Sequence, residues 1–345
     1  MTNQRSPAPT GVPATRTGSA NLVYVIRRLL QAVFLALVMS FLVFTGIFAV
    51  GNPVDILIDP EATQAERVRL IAQLGLDRPF HEQYFVFLGN VLQGDFGNSF
   101  VYNRPALGLI LERMPATLEL AFAAIVIAVV LGIPLGMYAG LRPGTPGSQA
   151  VMAGSILGFS VPNFWQAIML IMIFSVMLGW FPVSGRGQVG EFLGIRSSLF
   201  TLNGLQHMAL PAINLAIGHL ALVIRLARSG TQEVKAQDFI RFARAKGLSE
   251  PRIVMVHLLR NILIPIITLV GMSFGGLIAF AVVTESIFAW PGMGKLIIDS
   301  IRQLDRPVVV AYLIVIVVIF IILNLLVDLL YSLIDPRIRL DGAKQ

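Results

Sequence analysis

The chain contains no cysteine and only four histidines, His81, His207, His219 and His257, far apart in sequence. Disulfides and thiolate metal sites are thereby excluded, and a histidine-rich metal cluster is not expected. Charge is scarce as well. Asp, Glu, Lys and Arg make up 13% of the 345 residues against 56% hydrophobic residues, about half the charged share of an ordinary soluble domain. So few charges cannot cover the surface of a water-soluble globule of this length. Uncharged stretches longer than about twenty residues recur instead, and each is long enough to cross a ~30 Å hydrocarbon core as a helix. The composition therefore describes a polytopic membrane protein. In that setting the net charge of +7 signals orientation rather than nucleic acid, for which nothing else in the chain argues.

Windows between charged residues define the spans. The first lies between Arg28 and Asp55, the second between Glu119 and Arg142, the fourth ends at Arg225, the fifth lies between Arg260 and Glu285, and the sixth between Arg306 and Asp328. The third window, Pro143 to Gly185, accommodates one tilted span with loops or two short ones around Pro162-Asn163. Charge decides between them. With one span and an inside N-terminus, the inside segments hold 16 Lys/Arg against 5 Asp/Glu and the outside segments 10 against 11. Two spans would put the basic stretch Arg225 to Arg260 outside, against the positive-inside bias. Six spans with both ends cytoplasmic are expected. Residues 1–21, rich in Pro, Thr, Ser, Ala and Gly, read as a disordered cytoplasmic tail, and 341–345 as a short C-terminal one. The apolar stretch after Arg27-Arg28 has no small-residue cleavage site behind it and is expected to stay as an anchor.

Two segments outside the spans carry information. Residues 51–115 form an external insertion with helical patterning at Ala65–Leu74 and Phe80–Leu92. It is either a cap over the bundle or a dock for an external partner through Glu61, Glu66, Asp77 and Glu82. The cytoplasmic stretch 226–261 reads as two short amphipathic helices around one glycine. In the first, Phe239, Phe242 and Ala243 share a face, and Gly247 sits where a helix C-terminal glycine belongs. In the second, Ser249 is the expected N-cap, Pro251 lies in the first turn, and Ile253, Val256 and Arg260 follow at helical spacing. Such a pair wants a partner, either protein or anionic lipid.

No nucleotide site is evident. The segment Gly292-Met-Gly-Lys295 has Ala289 where a P-loop needs its first glycine and Leu296 where it needs Ser or Thr. Glu119, Glu285, Asp328 and His219 are expected to be hydrogen-bonded or ion-paired structural groups rather than a proton relay. Pro134, Pro162, Pro211, Pro265, Gly271, Gly275 and Gly276 are hinges or close-packing sites, between which the sequence does not choose.

The stretch Asp238-Phe-Ile-Arg-Phe-Ala-Arg-Ala-Lys-Gly-Leu-Ser249, continued by His257-Leu-Leu-Arg-Asn-Ile-Leu-Ile-Pro265, resembles the signature cytoplasmic loop of binding-protein-dependent ABC importer permeases, in the dipeptide/oligopeptide/nickel branch. Leu74-Gly-Leu-Asp-Arg-Pro-Phe80 with Gly94-Asp-Phe-Gly97, Thr284-Glu-Ser-Ile-Phe-Ala-Trp-Pro-Gly-Met-Gly294, and Asn324-Leu-Leu-Val-Asp-Leu-Leu-Tyr331 with Asp335-Pro-Arg337 resemble the same branch, so the likeness covers 22–340. The chain departs from the general permease pattern in having Arg241-Phe242-Ala243 for the Glu-Ala-Ala triplet and in placing its proline eighteen residues after Gly247.

The resemblance implies an all-α bundle of the type I ABC importer kind with six spans. It implies a transport subunit that is not itself an enzyme, carries no metal or other cofactor and borrows ATP and Mg chemistry from two separate ATPase subunits. A second permease, an extracytoplasmic solute-binding protein and a bacterial inner-membrane location are implied with it. Asp238, Arg241, Ala243, Gly247, Leu248, His257 and Arg260 are the expected coupling residues. Short peptides are the expected cargo, with nickel chelates, glutathione or peptide-like antibiotics as alternatives. An ion-coupled secondary transporter would need deep acids and internal repeats, and an intramembrane serine protease a Gly-x-Ser-Gly stretch; neither feature is evident.

Overall fold

The computed structural model describes residues 17–49, 63–73 and 77–334. Helices dominate: α1 (Thr17–Ala49), α2 (Gln64–Gln73), α3 (Phe80–Leu92), α4 (Ala106–Leu141), α5 (Pro146–Ser160), α6 (Asn163–Leu170, continuing as a π-helical stretch Ile171–Met177), α7 (Leu202–Lys235), α8 (Asp238–Ala245), α9 (Glu250–Ile287), α10 (Met293–Arg302) and α11 (Arg306–Ile334). A two-stranded antiparallel hairpin, β1 (Gly190–Phe192) and β2 (Ile195–Ser197), interrupts them.

Among the described residues α4, α7, α9 and α11 are each long and apolar enough to cross a membrane, and α5 with α6 makes a further crossing bent by 107°. α1 supplies the sixth span: its 33 residues reach about 50 Å at 1.5 Å per residue. It begins at Thr17, inside the stretch 1–21 expected to be disordered, of which 1–16 lie outside the described residues. α7 continues past Arg225 to Lys235, and α4 starts within the expected insertion, at Ala106.

The third window resolves as a broken span. α5 starts beside the end of α4, where Ser148 Oγ donates to Ala139 O at 3.1 Å. After α6, the Gly185 N–H donates to Phe288 O at 2.9 Å, beyond the far end of α9. The chain therefore enters at one end of the bundle and leaves at the other, as one span does and a re-entrant loop does not. Pro162 removes a donor at the break, and Gln166 Nε2 donates to the freed carbonyls of Gly158 and Val161 at 2.6 and 2.8 Å. That satisfies backbone groups which lipid could not.

Small residues bring the central helices together. Gly132, Gly136 and Gly140, one turn apart on α4, face α7 so closely that a Cβ on Gly136 would lie 2.5 Å from Ile224 O and one on Gly140 2.7 Å from Thr231 Cβ. Backbone contact of this kind replaces the hydrophobic drive that is missing between helices in lipid. Gly271 and Gly275 on α9 are packing sites too, against Val327 and Phe320 of α11, while Gly276 has no atom within 4 Å of its Cβ position.

At the end of the bundle away from α8, Glu285 organises a turn. Its buried carboxylate accepts from Thr117 Oγ1 at 2.6 Å and from the Lys295 N–H at 3.0 Å, so it caps α10. Thr117 also accepts from the Met293 N–H at 2.8 Å, and Trp290 Nε1 donates to Ala116 O at 2.9 Å. Asp305, buried at the start of α11, holds Ser99 Oγ and the Phe100 N–H. Glu119 pairs with Arg186 at 2.7 Å, and Arg186 Nε donates to Ser198 at 3.0 Å. Glu119 and Glu285 are thus structural, as expected. The side chain of Asp328 and the residues 335–345 lie outside the described ones.

The candidate coupling elbow at Gly247

α7 ends at Lys235, whose ammonium donates to Leu141 O at 3.2 Å and ties the helix end to α4. After two intervening residues, Ala236 and Gln237, α8 begins. It presents Ile240 and Ala243 to Ile253 of α9, with Val234 and Leu248 at the edge of this small core. Phe239 and Phe242 point outward, 43% and 61% exposed. Phe239, Phe242 and Ala243, expected to share one face, are thereby divided: Ala243 is buried and the two aromatic residues are exposed. The sequence offers two overlapping apolar stripes on one short helix, and Ile253 and Leu248 select the one they can touch.

α8 stops in a Schellman turn. The Leu248 N–H donates to Ala243 O at 3.2 Å and the Gly247 N–H to Arg244 O at 2.9 Å, with Gly247 at φ +78°. This satisfies carbonyls that a helix end leaves bare and requires the left-handed conformation that glycine adopts without strain. Ser249 occupies the N-cap position of the next helix, but its side chain makes no capping bond. Instead Arg244 clasps Glu250 across the turn, Nε to Oε1 at 2.6 Å and Nη2 to Oε2 at 3.3 Å.

The second helix is not short. From Glu250 it runs unbroken through a π-helical stretch, Ile253–Leu258, to Ile287, 38 residues in all. The elbow therefore leads directly into a spanning helix, to which α8 is joined by the contact of Ile240 and Ala243 with Ile253. Charge at Arg260 marks the start of the fifth span in the sequence, whereas Arg252 and Arg260 are both exposed on one helix that begins before them.

The model family described as "Binding-protein-dependent transport system inner membrane component" matches residues 132–340, and its N-terminal companion matches 21–121. The chain belongs to this family. It is an integral inner membrane protein. The chain is 40% identical over 320 residues to the oligopeptide transport system permease protein AppB of Bacillus subtilis, covering 92% of this chain and 99% of that one. It is 37% identical over 335 residues to the dipeptide transport system permease protein DppB of Escherichia coli K12, with the same coverage. Among solved structures, an inward-facing form of the MetNI methionine ABC transporter shares the fold, with TM-score 0.52 and 16% identity over 66% of this chain and 96% of the other.

In this inner membrane component the expected coupling residues fall into two groups. Asp238, Arg241, Ala243, Gly247 and Leu248 share the elbow; Arg241 pairs with Asp238 at 3.4 Å, both well exposed. His257 and Arg260 lie farther along α9, and among the described residues no hydrogen bond joins either to α8. Asn261 Nδ2 donates to His257 O at 2.6 Å. Arg244 and Glu250 were not singled out from the sequence, although an Arg six residues before a Glu on either side of a glycine was a usable signal. Phe239 and Phe242 of α8 and Met255 and Val256 of α9 are each exposed, with Lys246 Nζ 4.7 Å from the Phe242 ring centroid.

The insertion between α1 and α4 divides in the same way. Glu61 lies outside the described residues. Glu66 closes a capping box with Thr63, whose N–H and hydroxyl donate to it at 2.8 and 2.9 Å and hold its carboxyl below the usual range. Asp77 and Glu82 are exposed. α3 lays Phe80, Tyr84 and Phe87 against Phe41 and Phe44 of α1, and Tyr84 meets Ser40 at 3.0 Å.

Proposed function

We propose that this chain is the transmembrane subunit of an ATP-driven importer of short peptides, working by alternating access. One observation carries the mechanism: the Gly247 elbow is continuous with α9, which runs to the Glu285 turn at the opposite end of the bundle. An ATPase subunit bound to the exposed apolar side chains of α8 and early α9 would tilt a single rigid element, and the tilt would be felt where Thr117, Glu285 and Lys295 join α4, α9 and α10. Large exposed apolar side chains beside Asp238, Arg241 and Lys246 suit a protein cleft, which buries the apolar centre and leaves the charges at its rim.

In this reading two ATPase subunits supply ATP and Mg chemistry, and the chain itself catalyses nothing and holds no metal. A second permease of the same fold completes the path, and both termini are cytoplasmic. A solute-binding protein docks at the Glu285 end, where Glu61, Glu66, Asp77 and Glu82 would steer it. The basic residues of the elbow also meet anionic lipid. Short peptides are the cargo class because the permeases AppB and DppB are named for oligopeptide and dipeptide transport. A relative named for glutathione transport, itself a peptide, falls in the same class.

The test is co-purification of the chain with its expressed neighbours, followed by dipeptide uptake in proteoliposomes. Stoichiometric ATPase subunits and uptake that needs both ATP and the binding protein are expected. Uptake driven by an ion gradient without ATP would overturn the reading.

A further inference from the structure

Arg225 lies on α7 ten residues before Lys235, about 15 Å along the axis at 1.5 Å per residue. It is exposed, and among the described residues it pairs with no carboxylate. Its guanidinium stands over the Phe159 ring, 4.8 Å from the centroid. Phe159 follows Gly158, whose Cβ position meets Ile217, and Ile217 lies two turns nearer the start of α7. The charged head therefore lies toward the middle of the span, away from Lys235. An arginine near the end of a spanning helix ordinarily extends toward the water at that end, because an unpaired guanidinium in lipid is costly. The face that Arg225 occupies must be wet, or visited by an anion.

The surroundings agree. Gly218, seven residues before Arg225 and on the same helical face, has nothing within 4 Å of its Cβ position, so this face of α7 is open there. Ser160, next to Phe159, and Asn163, about one turn beyond it, are exposed at the break of the bent span. There Asn214 Nδ2 donates to Asn163 Oδ1 and, at 2.9 Å, to Thr284 Oγ1, while Asn214 Oδ1 is buried without a partner. Polar groups from α6, α7 and α9 thus meet at Asn214, eleven residues before Arg225 on the same face of α7.

We propose that this open face of α7 is part of the cargo path and that Arg225 receives the carboxylate of the passing peptide. The inference rests on the importer reading above. A guanidinium matches a carboxylate with two parallel hydrogen bonds. The Phe159 ring parks the cation between transits, and an exposed cation–π contact is weak enough to exchange. Every linear peptide carries one C-terminal carboxylate, so one fixed cation serves cargoes that differ in all their side chains.

The chain has no cysteine, so the charge at this point can be set chemically on the assembled complex. Arg225→Cys, reconstituted with its neighbours, is treated with a methanethiosulfonate that adds an ethylammonium or one that adds an ethylsulfonate, and uptake of labelled dialanine is read. The unaltered complex, treated alike, is the control. Uptake should fall roughly tenfold in the variant, the loss of about one charge-assisted hydrogen bond. The ethylammonium should restore most of it and the ethylsulfonate none. Arg225→Lys should retain more uptake than Arg225→Gln. Because rescue is read on protein already assembled, a folding defect cannot imitate the result. The proposal is overturned if neither reagent modifies the cysteine, if both charges give equal uptake, or if Arg225→Gln loses the second permease while intact complexes transport at the wild-type rate, the mark of an assembly contact. Absence of dialanine uptake by the unaltered complex would instead overturn the importer reading.

Discussion

Arg244 and Glu250 hold each other across Gly247, with the guanidinium Nε 2.6 Å from the carboxylate, and so set the angle between α8 and α9. Neither side chain is buried, 38% and 61% exposed, so solvent screens the pair and it adds little to stability. Its consequence is geometric. Arg244→Glu should leave the amount and melting temperature of the complex unchanged within error while lowering substrate-stimulated ATP hydrolysis. The exchange Arg244→Glu with Glu250→Arg should recover hydrolysis. Equal loss in the double variant would show that Arg244 acts on the ATPase subunit directly.

Gly247 separates backbone strain from crowding. At φ +78° with nothing within 4 Å of its Cβ position, a side chain there meets open space, so any defect comes from conformation alone. Gly247→Ala should cost about 1 kcal/mol locally and Gly247→Val up to about 2, while Gly247→Asn, which tolerates the left-handed region, should cost less than either. Coupled hydrolysis in proteoliposomes should follow the order Gly, Asn, Ala, Val. A variant that assembles and transports like wild type in all three cases would remove the elbow from the mechanism.

Glu285 is the opposite kind of position. Its carboxylate is fully buried and serves Thr117 Oγ1 and the Lys295 N–H together. Glu285→Ala strands both donors and should destabilise by roughly 2 to 4 kcal/mol, seen as a lower melting temperature in detergent. Glu285→Gln keeps an acceptor and should lose less. Gly294→Ala should behave like Glu285→Ala, because its Cβ would lie 2.6 Å from Val282 Cα.

Orientation is tested by single cysteines. Leu193, 86% exposed at the tip of the hairpin, and Gln303, exposed after α10, should react as cysteines with an impermeant thiol reagent added to spheroplasts. Ala236→Cys, beside the elbow, should react only after the membrane is opened. The reverse pattern would invert the topology.

Much of this protein was legible in its sequence because a lipid environment imposes a simple code. Uncharged length locates the spans, and the basic bias of Arg225 to Arg260 argued for one crossing in the third window, which the contacts of Ser148 and Gly185 bear out. Gly247 was legible for a similar reason, since a glycine between an amphipathic stretch and a Ser-Glu-Pro start has few alternatives. The three glycines of α4, at i, i+4 and i+8, were legible and went unread, because the apolar run around them drew attention to length instead of spacing.

The sequence by itself determined which segments lie in the membrane, where α8 stops, and that Gly292-Met-Gly-Lys295 does not have the spacing of a P-loop. Only the tertiary structure decided which way α8 turns its aromatic residues, that α9 absorbs the second half of the elbow, that Gly271 and Gly275 are packing sites, and that Arg225 lies toward the middle of the span. Periodicity and charge are properties of one helix against its solvent, and these outcomes depend on a neighbouring helix. Ile253 chooses the inward face of α8, Val327 and Phe320 fill the space that the glycines leave, and Phe159 draws the guanidinium away from the interface.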